Sequence, residues 1–188
     1  MSIEFVAQCI SIIGMAINVL SFQRKEQRQI VFMQLIGSTF FGISYLLIGA
    51  YVGGLLNVVA MIRAVAYWQR ERFHAEKIHW VYGIAAASLC VYAFSFTLFG
   101  TEPSVKNLII ELLPAIAMVL STLGFYLGSA RAVRFIGTVC SPLWFIYNIF
   151  NFNIGGIIAE SIAIVSIFIG ILRYDLKKGE EKSEKTES

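Results

Sequence analysis

The sequence predicts an all-α integral membrane protein with seven transmembrane helices, and three observations support this class. Apolar residues make up 57% of the 188-residue chain and charged residues only 14%, whereas soluble domains carry about 25% charged residues. The charged residues cluster in short segments between apolar runs of about 20 residues, which is the length that crosses a bilayer. Arg and Lys are concentrated in every second connection, as expected when those connections share the cytoplasmic side.

Seven spans follow from the positions of the charged segments and of the turn-like stretches. The predicted spans cover residues 3–22, 30–50, 53–69, 78–99, 107–127, 132–151 and 154–173. The first span is expected to be retained and not cleaved as a signal peptide. It begins with the acidic Glu4, and basic residues follow it, which is the reverse of the order in a signal peptide.

The distribution of basic residues also predicts the orientation. If the N-terminus lies outside, thirteen of the fifteen Arg and Lys residues lie on the cytoplasmic side. Lys106 alone lies outside, and Arg63 lies within the third span. We therefore predict an N-out, C-in protein. The tail, 175–188, has no apolar residue after Leu176 and is predicted to be disordered and cytoplasmic.

An internal repeat divides the spans into two groups of three. It rests on three matches at a common offset of 102 residues: Tyr45 with Tyr147, Gly53 with Gly155, and Gly54 with Gly156. We predict one domain over 1–174, composed of a first repeat (3–72), a linker helix (78–99) and a second repeat (105–174). Because the linker is a single span, the two three-helix repeats run the same way through the membrane, as in parallel-repeat transporters.

The chain also resembles a known family. The resemblance is carried by "LLIGAYVGGLLN…IR" (46–63), "ELLPAIAMVLST" (111–122) and "IGG…E" (154–160). These stretches are similar to those of the YgjV family of bacterial inner-membrane proteins, and the likeness covers nearly the whole chain before the tail. That family is similar in plan to the SWEET and PQ-loop superfamily. The resemblance therefore implies a 3+1+3 helix plan and an inner-membrane location, but it implies no substrate.

One motif departs from the pattern of PQ-loop proteins, which carry a Pro-Gln pair at the end of the first helix of each repeat. The first repeat has "SFQ" (21–23) without a proline, and Pro114 lies near the start of the corresponding helix in the second repeat. The departure argues against a hinge at such a proline.

Polar residues inside the predicted spans are candidates for a binding site. Glu160 lies roughly 10 Å below the outer edge of the seventh span at a rise of 1.5 Å per residue. An ionised carboxylate that faced lipid at this depth would cost several kcal/mol, so we expect Glu160 to face the interior, to be neutralised, or both. Asn57 lies at nearly the same depth in the first repeat, and Arg63 lies six residues deeper on the same span.

Two hypotheses account for these three residues. In the first, Asn57, Arg63 and Glu160 line a central cavity that binds a polar solute. In the second, Arg63 and Glu160 form a buried ion pair that joins the repeats, and Asn57 caps or bridges helices. Six helical residues turn Arg63 about 120° from Asn57, so the two need not share a cavity wall. Three further residues either line the same interior or hydrogen-bond between helices: Asn18, Gln34 and Asn148.

We therefore expect a SWEET-like transporter or facilitator of a small polar solute, either neutral or cationic. The alternative is a membrane receptor or scaffold that binds a peptide or protein partner and transports nothing. The sequence carries no motif of an enzyme, metal or cofactor site and no basic-aromatic surface for nucleic acid. We expect no enzymatic activity, no cofactor and no nucleic-acid partner. The expected partners are the lipid bilayer and the solute. The sequence does not identify the solute or the coupling ion. It also leaves the oligomeric state open, and a homo-oligomer is possible.

Overall fold

Seven α-helices, each long and apolar enough to cross a membrane, form the described part of the computed structural model, residues 3–176. They are α1 (Ile3–Ser21), α2 (Gln27–Leu47), α3 (Tyr51–Trp68), α4 (His79–Thr97), α5 (Val105–Tyr126), α6 (Ala130–Phe150) and α7 (Ile154–Gly170). A π-helical segment, Ile171–Leu176, continues α7. The predicted all-α membrane class and the seven predicted spans are confirmed.

Several helices begin earlier than predicted, and this changes the position of the two glycine pairs. Gly53 and Gly54 lie in the first turn of α3, and the second pair lies in the first turn of α7, so neither pair forms the chain reversal. The chain reverses instead at Gly49, with φ of 77°, and at Phe152, with φ of 50°. The glycine pairs thus permit close helix contact and do not form the turns.

The N-termini of α5, α6 and α7 are capped by polar side chains. Ser104, Ser129 and Asn153 each accept a hydrogen bond from the backbone N–H three residues later, at 3.2, 3.1 and 3.0 Å respectively. Such caps satisfy backbone donors that the helix itself leaves free, and they typically contribute about 1 kcal/mol each. The local sequence therefore specifies where these three helices start.

Six of the helices pack in a closed ring. The helix α2 lies between α1 and α3, and α6 lies between α5 and α7. The ring closes where α3 packs on α5 and α7 packs on α1, and α2 also touches α6 across it. The helix α4 lies outside the ring against α3 and α5. These two contacts are equivalent: if α1–α3 took the places of α5–α7 and the reverse, the α3–α5 contact would become the α7–α1 contact.

The two ends of the bundle differ in composition. We call one the basic end; it contains the connections 22–26, 69–78 and 127–129. We call the other the glycine end; it contains the connections 48–50, 98–104 and 151–153. Each end has its own buried cluster. The cluster nearer the basic end includes Phe22, Tyr67, Phe125 and Ile167, and the cluster nearer the glycine end includes Phe41, Tyr45, Tyr147 and Ala159.

A buried ion pair joins α6 to the π-helical segment at the basic end. Arg134 donates from Nε and Nη2 to the two carboxylate oxygens of Asp175, both at 2.7 Å, and the side chains are only 3% and 5% exposed. Its Nη1 donates to the Arg24 carbonyl at 3.0 Å. Asp175 therefore belongs to the packed bundle and not to a disordered tail, because it neutralises a buried charge. The rest of the predicted tail, 177–188, lies outside the described residues.

Gly155 permits the close approach of α7 to α1. A Cβ atom at this position would overlap the Ser11 side chain and would lie 2.8 Å from Gln8 Oε1. That same oxygen accepts a hydrogen bond from the Gly155 backbone N–H at 2.7 Å. We expect Gly155→Ala to lower the free energy of unfolding in detergent by about 1–3 kcal/mol, because the two helices must separate or repack.

Gly83→Ala on α4 is the matched control. A Cβ atom there meets nothing within 4 Å, so the substitution should be neutral or should stabilise the helix by up to about 1 kcal/mol. Denaturant titrations of both variants measure the difference. If Gly155→Ala proved as stable as Gly83→Ala, the close α1–α7 contact would be disproved.

Candidate functional site

A central cavity of about 130 Å³ lies inside the ring, and every one of the six ring helices contributes to its wall. Five of the six predicted site residues line it: Asn18, Gln34, Asn57, Arg63 and Glu160. The angle of about 120° between Asn57 and Arg63 around α3 does not keep them apart, because both side chains line the same cavity. Three hydroxyl-bearing residues that the sequence did not single out also line it: Ser38, Ser121 and Ser141.

Arg63 is buried, with 5% of its surface exposed, and its hydrogen bonds point towards α5. Its Nη1 donates to the Met118 carbonyl at 3.3 Å and to the Ser121 hydroxyl. The guanidinium carbon lies 4.5 Å from the centre of the Phe125 ring, a distance at which a cation is attracted to the ring face. The Nε atom is buried and has no hydrogen-bond partner.

Glu160 reaches the cavity from α7, where it remains partly exposed. Ser141 on α6 lines the same cavity, and its hydroxyl is the polar side-chain neighbour of the Glu160 carboxyl group. Among residues 3–176, the ion pairs are His74–Glu76 and Arg134–Asp175. Arg63 and Glu160 therefore line the same cavity without forming an ion pair, in contrast to the second hypothesis. The reason is that Ser121 and the Met118 carbonyl hold the guanidinium on the α5 side.

The amide residues of the cavity are held to different degrees. Asn57 is 7% exposed, and its Nδ2 donates to the Gly53 carbonyl on its own helix at 2.9 Å. Asn18 has a buried Oδ1 atom without a hydrogen-bond partner and packs against Gly37 of α2. Gln34 lines the cavity from α2 and is partly exposed. The wall therefore offers amide groups with unused hydrogen-bonding capacity.

Asn148 is the one predicted site residue that does not belong to the cavity wall. Its Oδ1 accepts a hydrogen bond from the Tyr45 hydroxyl at 2.7 Å and one from Asn153 Nδ2 at 3.1 Å. Close by, the Tyr147 hydroxyl accepts from the Gly53 backbone N–H at 3.1 Å. The prediction of Asn148 as a lining residue is corrected to its alternative, a hydrogen bond between α2 and α6, because Tyr45 and Asn153 engage its amide oxygen and the residue is not part of the cavity wall.

Several wall residues had no signal in the sequence. Ser121 and Ser141 are hydroxyl-bearing residues in apolar helices, and such residues are common wherever membrane helices pack. Phe125 and Trp144 also line the cavity, but aromatic residues are frequent in membrane helices and near their ends, so neither stands out in the sequence. Within residues 3–176 no group of three His, Cys, Asp or Glu side chains comes close enough to hold a metal ion. The site is thus a mostly apolar cavity whose wall carries one cationic side chain, one acidic side chain and several amide and hydroxyl groups.

The helices and this cavity define a multi-pass membrane protein with polar side chains around a central cavity. Residues 5–178 match the model of the Imp-YgjV family, described as bacterial inner membrane protein, and the chain belongs to that family. The chain is also similar to "Inner membrane protein YgjV" of Escherichia coli (strain K12), with 24% identity over 175 residues that cover 93% of this chain and 87% of that protein. No solved structure matches the chain significantly. Membership of the YgjV family and the bacterial inner-membrane location are thereby confirmed.

Proposed function

We propose that this protein is a transporter or facilitator that binds a small polar solute in the central cavity. The observation that carries the proposal is the presence of Arg63 and Glu160 in one cavity without an ion pair between them. Removing an ion from water costs several kcal/mol. Charges retained inside membrane spans at such a cost are typical of substrate and ion pathways.

The ring supports a plan of two parallel three-helix repeats, α1–α3 and α5–α7, with α4 as the linker. The contacts that close the ring, α3 with α5 and α7 with α1, are equivalent when the two groups are exchanged. The cavity lies at the interface of these groups, which is where parallel-repeat transporters commonly bind their substrates. The position of α4 outside the ring is in keeping with a helix that only restores the direction of the chain.

We assign the basic end to the cytoplasm, with the N-terminus outside. The connections at this end contain Arg24, Lys25, Arg70, Arg72 and Lys77, and Lys and Arg are concentrated in cytoplasmic connections. The cavity is bordered towards this end by Phe22 and Phe125, and towards the glycine end by Tyr45 and Trp144. Alternating access requires these two borders to open in turn, by movement of one group of helices against the other.

Flux into proteoliposomes tests the proposal. Purified protein is reconstituted and assayed by counterflow with small zwitterions, amines, carboxylates and neutral polyols. We expect saturable flux of at least one solute, and we expect Glu160→Gln to reduce it at least tenfold, because the substitution removes an acidic group from the cavity wall. A tenfold change corresponds to about 1.4 kcal/mol.

Glu102→Gln is the control for this experiment. Glu102 is an exposed carboxylate in the connection between α4 and α5, so its substitution should leave the flux unchanged. An equal loss in both variants would contradict a role for the cavity. Binding without flux for every solute would contradict transport and would favour a receptor or scaffold.

A further inference from the structure

The cavity contains two opposite charges, and each lacks a counter-ion within the described part of the chain. Arg63 has no carboxylate within ion-pair distance, and Glu160 has no basic group within that distance. The hydroxyl, carbonyl and aromatic contacts of Arg63 satisfy part of its hydrogen bonding and leave its net charge in place. A ligand with complementary charges, long enough to reach both groups, would neutralise them together.

The Arg63 donors that no described residue occupies suit an anion with two oxygens. Its Nη1 atom is occupied by Met118 and Ser121, whereas Nε has no partner and Nη2 donates no hydrogen bond to a described residue. The Nε and Nη2 donors form one side of the planar guanidinium, and this side binds a carboxylate through two parallel hydrogen bonds. The carboxyl group of Glu160, with the Ser141 hydroxyl as its polar neighbour, keeps acceptor capacity for an ammonium group.

The size of the cavity limits the ligand to a small molecule. Its volume is about 130 Å³, and an engineered apolar cavity of about 150 Å³ in another protein holds one benzene molecule. A ligand of about six non-hydrogen atoms therefore matches the available space. Disaccharides and nucleosides are too large for this conformation.

We propose that the cavity binds a small zwitterion, with its carboxylate, or a comparable anionic group, at Arg63 and its ammonium group at Glu160. The inference deepens the proposed function by naming the class of solute. The movement of this ligand across the membrane rests on the proposed function, whereas its binding in the cavity does not. It also narrows the expected solute, since the sequence suggested a neutral or cationic molecule and the unoccupied guanidinium edge calls for an anionic group as well.

Equilibrium binding of radiolabelled glycine, L-alanine and L-serine to the purified full chain tests the inference. Three competitors dissect the charges: propionate lacks the ammonium group, ethylammonium lacks the carboxylate, and lactamide carries neither charge. We expect at least one zwitterion to bind and each competitor to be at least tenfold weaker. The inference is overturned if none of the three zwitterions binds, or if lactamide competes as well as the unlabelled zwitterion.

Two cavity variants test where each charge binds. Arg63→Gln should weaken zwitterion binding at least tenfold and should make ethylammonium as good a competitor as the zwitterion. Glu160→Gln should likewise weaken zwitterion binding at least tenfold and should make propionate as good a competitor as the zwitterion. Glu102→Gln should leave the binding of every ligand unchanged. Arg63→Lys keeps the charge in case Arg63→Gln does not fold; it should bind several-fold more weakly because it lacks the planar pair of donors. Wild-type affinity in Arg63→Lys would overturn the two-donor contact.

Counterflow in proteoliposomes separates the failure of this inference from that of the proposed function. Saturable flux of a neutral solute without flux of any of the three zwitterions overturns the inference and leaves transport intact. Zwitterion binding with the expected fragment selectivity, but without flux, upholds the inference and contradicts transport.

Discussion

Arg134→Met is expected to lower the free energy of unfolding by about 3–5 kcal/mol, the largest effect of any single substitution considered for this protein. The substitution leaves the Asp175 carboxylate buried, with 5% of its side chain exposed and without its counter-ion. It also removes the donor to the Arg24 carbonyl, so the start of α6 loses contact with both the end of the α1 region and the π-helical segment. Denaturant or thermal unfolding in detergent measures the loss.

Arg131→Met, one turn earlier on α6, is the control. Arg131 is exposed and lies 5.4 Å from the Phe135 ring centre, so its loss should change stability by no more than about 0.5 kcal/mol. The double variant Arg134→Met/Asp175→Leu should regain most of the stability, because neither charge is then left unpaired. Equal stability of Arg134→Met and Arg131→Met would show that the ion pair contributes nothing.

Asn148→Leu is expected to lower the free energy of unfolding by about 2–4 kcal/mol, because it leaves two donors without an acceptor. Tyr45 and Asn153 both donate to the Asn148 Oδ1 atom, and both residues are buried, at 2% and 0% exposure. An orphaned buried donor costs about 1–3 kcal/mol. The loss should appear as a lower unfolding midpoint in detergent, with the helical content of the folded protein unchanged.

Asn151→Leu provides the comparison for this prediction. Asn151 is partly exposed, and its amide donates only to the Tyr147 carbonyl one turn earlier, so the loss should stay below about 1 kcal/mol. Adding Tyr45→Phe to Asn148→Leu should restore part of the stability by removing one orphaned donor. If the double variant is less stable than Asn148→Leu by the full cost of Tyr45→Phe alone, the two residues are not coupled.

The number of spans and their approximate positions are properties of local sequence. Apolar runs of membrane length and the charged segments between them suffice, because the bilayer imposes the same length on every helix regardless of its neighbours. The expectation that Glu160 faces the interior has the same origin. A carboxylate facing lipid is too costly whatever the fold, and the structure has Glu160 in the cavity wall.

The partners of the polar side chains were decided by the tertiary structure. Arg63 bonds to Ser121, 58 residues away, and not to Glu160; Arg134 pairs with Asp175 across 41 residues; Tyr45 bonds to Asn148 across 103 residues. Periodicity states which face of a helix a residue occupies, but not which helix lies opposite or how far each helix is rotated. The closure of the six-helix ring determines both, and it is this closure that leaves the cavity with two opposite charges that do not meet.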